Sequence, residues 1–348
     1  MHSLVQNGSA NRSSNFELIR ILAAMGVIMH HVAVRAFSHP MPGYNRAVFI
    51  LMYVFFICDV DVFVMISGYF MAFTEKISLK KPFELLLQLQ VLRIVLFCIQ
   101  LANGSCEFNI EGLILTLVPS DYFIMLYVAL ILIAPYINKV LNDMSEEKYR
   151  RFLLLVFLVF SVWNYAVQGI EEIIGLGMHS STTVSQSGAL GGRSIVNFVL
   201  CYIIGSGIRR KFISLRHPLM VIFACAFCNV LLFIAGSGQA ADYLSPFTII
   251  QSAAVIMWAE KLKLQSKAVN FIAKASLTVY IVHVPMIVAG LDYPALVEQP
   301  LIAMIIRYGL IVLCSYALGL VMHYAYHYLS RPLRALAAAK LEKIEISA

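Results

Sequence analysis

Residues Phe16–Val32 read FELIRILAAMGVIMHHV. The stretch has the length and apolar character of a membrane helix, yet it carries Glu17, Arg20, His30 and His31. An ionisable group inside a span costs at least a few kcal/mol, so it normally faces a protein interior and marks function. Arg20 and His31 are eleven residues apart. At about 100° per residue this is three turns plus about 20°, so the two share one helix face, roughly 16 Å apart along the axis. Glu17 lies one turn before Arg20 on the same side and can pair with it. His30 sits about 100° away from His31 and is expected to matter far less. Glu17 and Arg20 thus belong at one mouth of a bundle, with His31 deep, past the midplane.

Composition agrees with a membrane setting. Of 348 residues, 60% are hydrophobic and 13% charged, against about 25% charged in a soluble domain. There is too little polar surface to cover a water-soluble globule, so the fold class is an all-α polytopic membrane helical bundle. Windows of about 20 apolar residues give ten spans, 17–36, 47–73, 83–102, 121–138, 152–168, 194–208, 217–236, 244–260, 270–290 and 301–327. Residues 108–118 suit an interfacial helix, and 169–193 is a Gly/Ser-rich connection that could cover a site. Residues 1–15 read as an uncleaved polar tail, 16–330 as the membrane core, and 331–348 as a second tail with no soluble domain following. The seven cysteines lie mostly in apolar runs and read as small apolar residues, Cys225 and Cys228 included.

Nineteen of the 26 Lys and Arg fall in segments on one side of such a topology and three (Arg35, Arg46, Arg193) on the other. By the positive-inside rule both termini are cytoplasmic. The net charge of +7 follows from that bias. Without a basic stripe interleaved with aromatics, no nucleic-acid partner is expected.

Two further spans carry polar groups at the depth of His31. Residues 57–70, ICDVDVFVMISGYF, hold Asp59, Asp61 and Ser67, with Gly68 permitting close helix approach. Counted from the inner ends of their helices, these carboxylates reach the His31 layer. Residues 274–285, KASLTVYIVHVP, hold Lys274, Ser276, Tyr280 and His283. Ser276, Tyr280 and His283 are spaced by four and three and form one stripe. Arg93, within a span, is available to pair with Asp59.

These residues resemble a known family. Arg20 followed by ten residues and His31 is similar to the R-x10-H signature of the membrane acyltransferase-3 family. FVMISG at Phe63–Gly68, after Val60–Asp61, resembles its F-F-x-x-S-G segment, with Val64 in place of the second Phe. SLTVYIVH at Ser276–His283 resembles its S-L-x-x-Y-L-x-H stretch. NFELIR and DYFIMLYVALILIAPYINK (Asp121–Lys139) are similar to members acting on cell-surface polysaccharides. In place of the R-x-x-R often found after the second span, KKPFELLLQLQVLR offers Lys80, Lys81 and Arg93.

The resemblance implies O-acylation, usually O-acetylation, of an envelope carbohydrate, lipid-linked or polymerised, with acetyl-CoA as donor, at the bacterial inner membrane. No metal is expected. Arg20, Lys80, Lys81 and Arg93 are then candidates for holding the donor. His31 is the candidate general base or acyl carrier, with Asp61 or Asp59 orienting it and Ser67, Tyr280 and His283 completing the site. Ten spans with intramembrane Asp, His and Arg also suit a proton-coupled exporter or a flippase of an envelope glycan.

Overall fold

The computed structural model describes residues 13–175, 184, 190–286, 288–335 and 345–347. Most of the Gly/Ser-rich connection at 169–193, and most of both tails, lie outside the described residues.

The first helix, α1 (Ser14–Ala36), is followed by α2 (Gly43–Phe55) and α3 (Asp59–Met71), with a short 3-10 turn at Phe56–Cys58 between them. The second span is therefore one apolar rod with a tightened turn inside it. A short strand, β1 (Lys76–Ser78), leads into α4 (Lys80–Ala102), the short α5 (Ile110–Leu117) and α6 (Tyr122–Asn142). Then come α7 (Glu146–Phe157) and α8 (Trp163–Ile174), which run on through a π-helical turn at Leu158–Val162. The rest comprises α9 (Ile195–Arg209), α10 (Pro218–Ile234), α11 (Pro246–Lys261), α12 (Lys267–Ile272), α13 (Ser276–Met286), α14 (Tyr293–Val297) and α15 (Leu301–Leu329). Strand β2 (Glu345–Ser347) pairs antiparallel with β1, Ile77 opposite Ile346.

Each expected span falls on helix among its described residues, but a count of ten crossings does not follow from the lengths. Among the described residues, seven helical stretches are long and apolar enough to cross a membrane; the apolar helices Ile195–Arg209 and Pro218–Ile234 are shorter. Polar residues mark many helix starts. Asn109, Asp121, Ser145, Ser194, Ser266 and Asp292 each accept a hydrogen bond from a backbone N–H of the first turn.

Both described ends of the chain lie at one end of the bundle. Asn15 donates to Ala259 O at 2.8 Å, and Ser266 N donates to Ser14 Oγ at 3.0 Å. Tyr69, at the end of α3, donates to Glu260 at 2.8 Å, and β1 just beyond it holds β2.

The molecule is sorted as a lipid solvent demands. Asn45, Asn138, Asn197, Asn229, Thr248, Gln251 and Ser252 are fully buried, while Leu155, Ile173, Phe223, Phe227 and Ile302 are exposed. Polar side chains find partners only inside the protein, and apolar ones lose nothing by facing acyl chains. Helix α1 takes the central place, packing on α2, α3, α11, α13 and α15.

The closest crossing is that of α3 and α9. A Cβ on Gly68 would lie 2.1 Å from Tyr202 O, and one on Gly205 2.1 Å from Met65 O. Backbone cannot give way as a side-chain tip can. Gly68→Val should therefore destabilise the protein by about 1–3 kcal/mol or more, read as a lowered melting temperature in detergent. Gly309, whose Cβ would meet nothing within 4 Å, is the control, and Gly309→Ala should be neutral. Equal effects of the two would remove the close crossing from the stability of the fold.

Candidate active site

The Glu17–Arg20 pair forms as the helix spacing requires, with Arg20 Nη1 2.6 Å from Glu17 Oε1. The two line a cavity of about 330 Å³ together with Lys81, Lys274, Ser276, Ser67, Tyr127 and Tyr280. Three cations and one carboxylate thus surround its mouth. Lys80 precedes Lys81 at the first residue of α4 and is not in the cavity wall. Further in, Val27, Val60 and Tyr280 close the cavity. The same three residues line a second void of about 10 Å³ together with His30, His31, Phe56, Tyr122 and Tyr243. The route from Arg20 to His31 therefore follows one face of α1, narrowing at Val27, Val60 and Tyr280.

His31 meets His283 across the α1–α13 contact, with His283 Nε2 3.2 Å from His31 Nδ1. The hydrogen-bond partners assign the tautomers. His283 Nδ1 faces two backbone carbonyls, Tyr280 O at 2.7 Å and Val279 O at 3.1 Å, so it carries the proton. In the neutral ring Nε2 is then an acceptor. His31 Nδ1 faces that acceptor and Val27 O at 2.8 Å, so it also carries a proton. The lone pair of His31 is left on Nε2, where a base or nucleophile needs it.

The carboxylates go elsewhere. Asp61 is fully buried and accepts from Asn197 Nδ2 at 2.9 Å, on α9. Asp59 packs against Gly26, where a Cβ would fall 1.8 Å from Asp59 Oδ2. Gly26 and His30 are one turn apart on α1, so Asp59 approaches the face of His30 rather than that of His31. Neither of the expected orienting carboxylates, Asp61 or Asp59, is bonded to His31; the side chain that meets its ring is His283. His30 is less remote than its angular offset suggests. Its ring stacks on Tyr53 at 4.5 Å, its Nδ1 lies 3.1 Å from Tyr53 O, and it shares the small void with His31.

Ser67 back-bonds to Phe63 O at 3.1 Å and lies 2.6 Å from the Tyr127 hydroxyl, in the larger cavity. It is not in the wall of the His31 void. Tyr280 is in the walls of both, but its hydroxyl is turned to Asp121, 3.3 Å from Oδ1. Arg93 is separated from Arg20 and Lys81. It holds the end of α5 and the loop after it through Leu115 O at 2.6 Å, Val118 O at 3.0 Å and Ser120 Oγ at 2.9 Å. It also lines a separate cavity of about 380 Å³ with Asp121, Ile281 and Pro285. Arg93 sits thirteen residues along α4 from Lys80, about 19 Å at 1.5 Å per residue, which takes it out of the cationic mouth. The proposed Arg93–Asp59 pair is likewise not formed: Arg93 is bound to the α5 segment.

Sequence reasoning missed Asp121, Tyr122, Tyr127 and Tyr243. Asp121 reads locally as a helix cap, and it is one, accepting from Ile124 N at 2.9 Å. Only the fold adds Tyr280 to its partners.

A bundle of long apolar helices, with a cationic mouth and a buried imidazole pair reached along one face of α1, defines a polytopic membrane protein with a cavity leading into its interior. A family model described as an acyltransferase domain matches residues 13–324, and the chain belongs to that family, acyltransferase-3. It is a multi-pass membrane acyltransferase, which favours acyl transfer over export or flipping. No curated protein and no solved structure shows a significant match to the chain.

Near the His31 void, outside the spans, Asp242 is buried and accepts from Leu244 N at 2.7 Å. Burial lifts its carboxyl to about 6, against the opposing pull of the Leu244 N–H and Arg193. A carboxyl raised in the folded state stabilises the fold below its unfolded value, and that contribution fades as pH rises from about 4 through about 6. Asp242→Asn keeps an acceptor for Leu244 and removes the titration. Its melting temperature should match the wild type near pH 4 and exceed it near pH 8; a difference independent of pH would exclude Asp242 as the titrating group. The tautomer assignment is checked by ¹⁵N NMR of histidine-labelled protein. The His31 Nε2 resonance should be of the unprotonated kind at neutral pH, and a protonated Nε2 with a bare Nδ1 would reverse the assignment.

Proposed function

We propose that the chain transfers an acetyl group from acetyl-CoA to a hydroxyl of a cell-envelope carbohydrate. The observation that carries this reading is the route from the cationic mouth at Arg20, Lys81 and Lys274 to the bare Nε2 of His31. In this reading the mouth is cytoplasmic, as the Lys/Arg distribution implies, and its cations hold the phosphates of the donor. The thioester then points along the Arg20–His31 face. The small void has room for no more than about one water, so a long acyl chain would have to displace its walls. That supports acetyl over longer acyl groups, with Val27 and Val60 as the restricting side chains.

His31 Nε2 takes the proton of the acceptor hydroxyl as its oxygen adds to the thioester carbonyl. The tetrahedral intermediate collapses with cleavage of the C–S bond, and the departing thiolate takes the proton back from the imidazolium. His283 holds the ring by accepting from Nδ1, and the positive charge formed on His31 is shared along the bond to His283 and Val27 O. Two neutral imidazoles stay uncharged between turnovers, so neither brings a permanent charge to the wall of the His31 void. A covalent acetyl-imidazole on Nε2 would use the same geometry, and hydroxylamine-labile label from radioactive acetyl-CoA without acceptor would reveal it.

The test is acetyl transfer by purified protein in nanodiscs, measured as CoA thiol release with an envelope carbohydrate fraction. His31→Ala should lose transfer by about 10²–10⁴-fold, the range of general-base catalysis. His283→Leu should lose a large part of it, while His283→Gln, which retains an acceptor, should recover some. Full activity of His31→Ala would overturn the proposal. Equal activity of His283→Leu and wild type would reduce His283 to packing.

A further inference from the structure

On the side of the His31 layer away from Arg20 lie Tyr122 and Tyr243, which line the small void and share a hydrogen bond. The Arg193 guanidinium lies over the Tyr122 ring, 5.7 Å from its centroid. The segment that carries it is fixed. Gly192 has φ +76°, and a Cβ there would lie 2.4 Å from Leu244 N; Tyr243 N donates to Gly191 O at 3.1 Å. Arg193 is thus held by packed backbone, while its own side chain is exposed.

Arg35 stands one turn beyond His31 on α1 and is half-buried. It hydrogen-bonds to Tyr293, whose ring stacks on His39 at 5.7 Å and whose hydroxyl donates to Val288 O at 2.8 Å. Arg35 and Arg193 both lie within Coulombic reach of His31. Among the described residues neither has a salt bridge. The carboxylate facing Arg193 is Asp242, already engaged by Leu244 N–H.

Neither arginine is in the wall of the His31 void, so neither is placed to touch the reacting carbonyl. They lie just beyond it instead, Arg193 over the ring of Tyr122, which together with Tyr243 lines the void, and Arg35 against Tyr293. Guanidinium is suited to planar, bidentate contact with phosphate or carboxylate. Tyrosine rings give an apolar face with a polar edge, as a sugar requires. Like charges lining one approach also concentrate counter-charged ligands there. We propose that Arg35 and Arg193 form the acceptor subsite, and that they recognise an anionic group carried by the carbohydrate. That group is either the phosphate linking the sugar to a lipid or a carboxylate on the sugar itself. The inference rests on the acetyl-transfer reading above and names the class of its acceptor.

The test is equilibrium binding to the full chain in nanodiscs, with two matched pairs of probes. Geranyl diphosphate is compared with geraniol, and the methyl glycoside of galacturonic acid, with its carboxylate ionised at neutral pH, with methyl galactoside. Wild type should prefer the anionic member of one pair by about tenfold or more. Preference in the first pair assigns the anion to a lipid phosphate, and preference in the second to the sugar. Arg35→Gln with Arg193→Gln should abolish the preference, and Arg193→Lys in an otherwise native chain should keep part of it. Equal binding within both pairs, or an undiminished preference in the double variant, would overturn the subsite. Absence of CoA thiol release from wild type, with the anion preference intact, would instead strike the acetyl-transfer reading.

Discussion

A helix that carries a carboxylate, a guanidinium and two imidazoles has no stable place at a lipid boundary. Each of those groups must meet a partner inside the protein, because the bilayer core offers none. This requirement puts α1 at the centre, against α2, α3, α11, α13 and α15. Each polar residue then has a partner within the protein. Arg20 has Glu17, His30 has Tyr53 O, and His31 has Val27 O and His283.

In the proposed reaction the imidazole pair holds a base in an apolar medium without a permanent charge beside it. A carboxylate beside His31 would fix its tautomer equally well, but would bring a permanent charge into the layer. The cost of such a charge is several kcal/mol unless it is fully paired. His283 does the same work as a neutral acceptor, because two backbone carbonyls one turn back on α13 hold its own proton at Nδ1. The buried carboxylates serve the scaffold instead. Asp61 joins α3 to α9 through Asn197, beside the Gly68 and Gly205 crossing, and Asp59 fills the notch left by Gly26. Both stand close enough to the chamber to shape it without entering it.

The two cavities differ in form. The large cavity at Arg20 is wide and cationic, and the void at His31 is small and ringed with aromatics. Tyr280 belongs to both walls and turns its hydroxyl to Asp121. A donor and an acceptor approaching from opposite ends would therefore meet at one constriction, with little room for water. Exclusion of water matters here, since water is itself a nucleophile that would divert the acyl group.

The sequence by itself determined the features set by local helix geometry and by the lipid solvent. Apolar length and Lys/Arg asymmetry specify a polytopic helical bundle, and the 3.6-residue period puts Glu17, Arg20 and His31 on one face. It also brought His283 to the right depth, because residues counted along a span measure height. Counting does not measure azimuth. Asp59 and Asp61 are two residues apart, about 200° around the helix, so they face different neighbours, and only packing decides which. Arg93 is polar within an apolar run, yet its partners lie on α5, a helix whose docking no local pattern announces. Tertiary structure alone thus chose His283 over the carboxylates as the partner of His31. The choice depended on how α1, α3, α9 and α13 turn toward one another, and that rotation is set by glycines and side chains far apart in the chain.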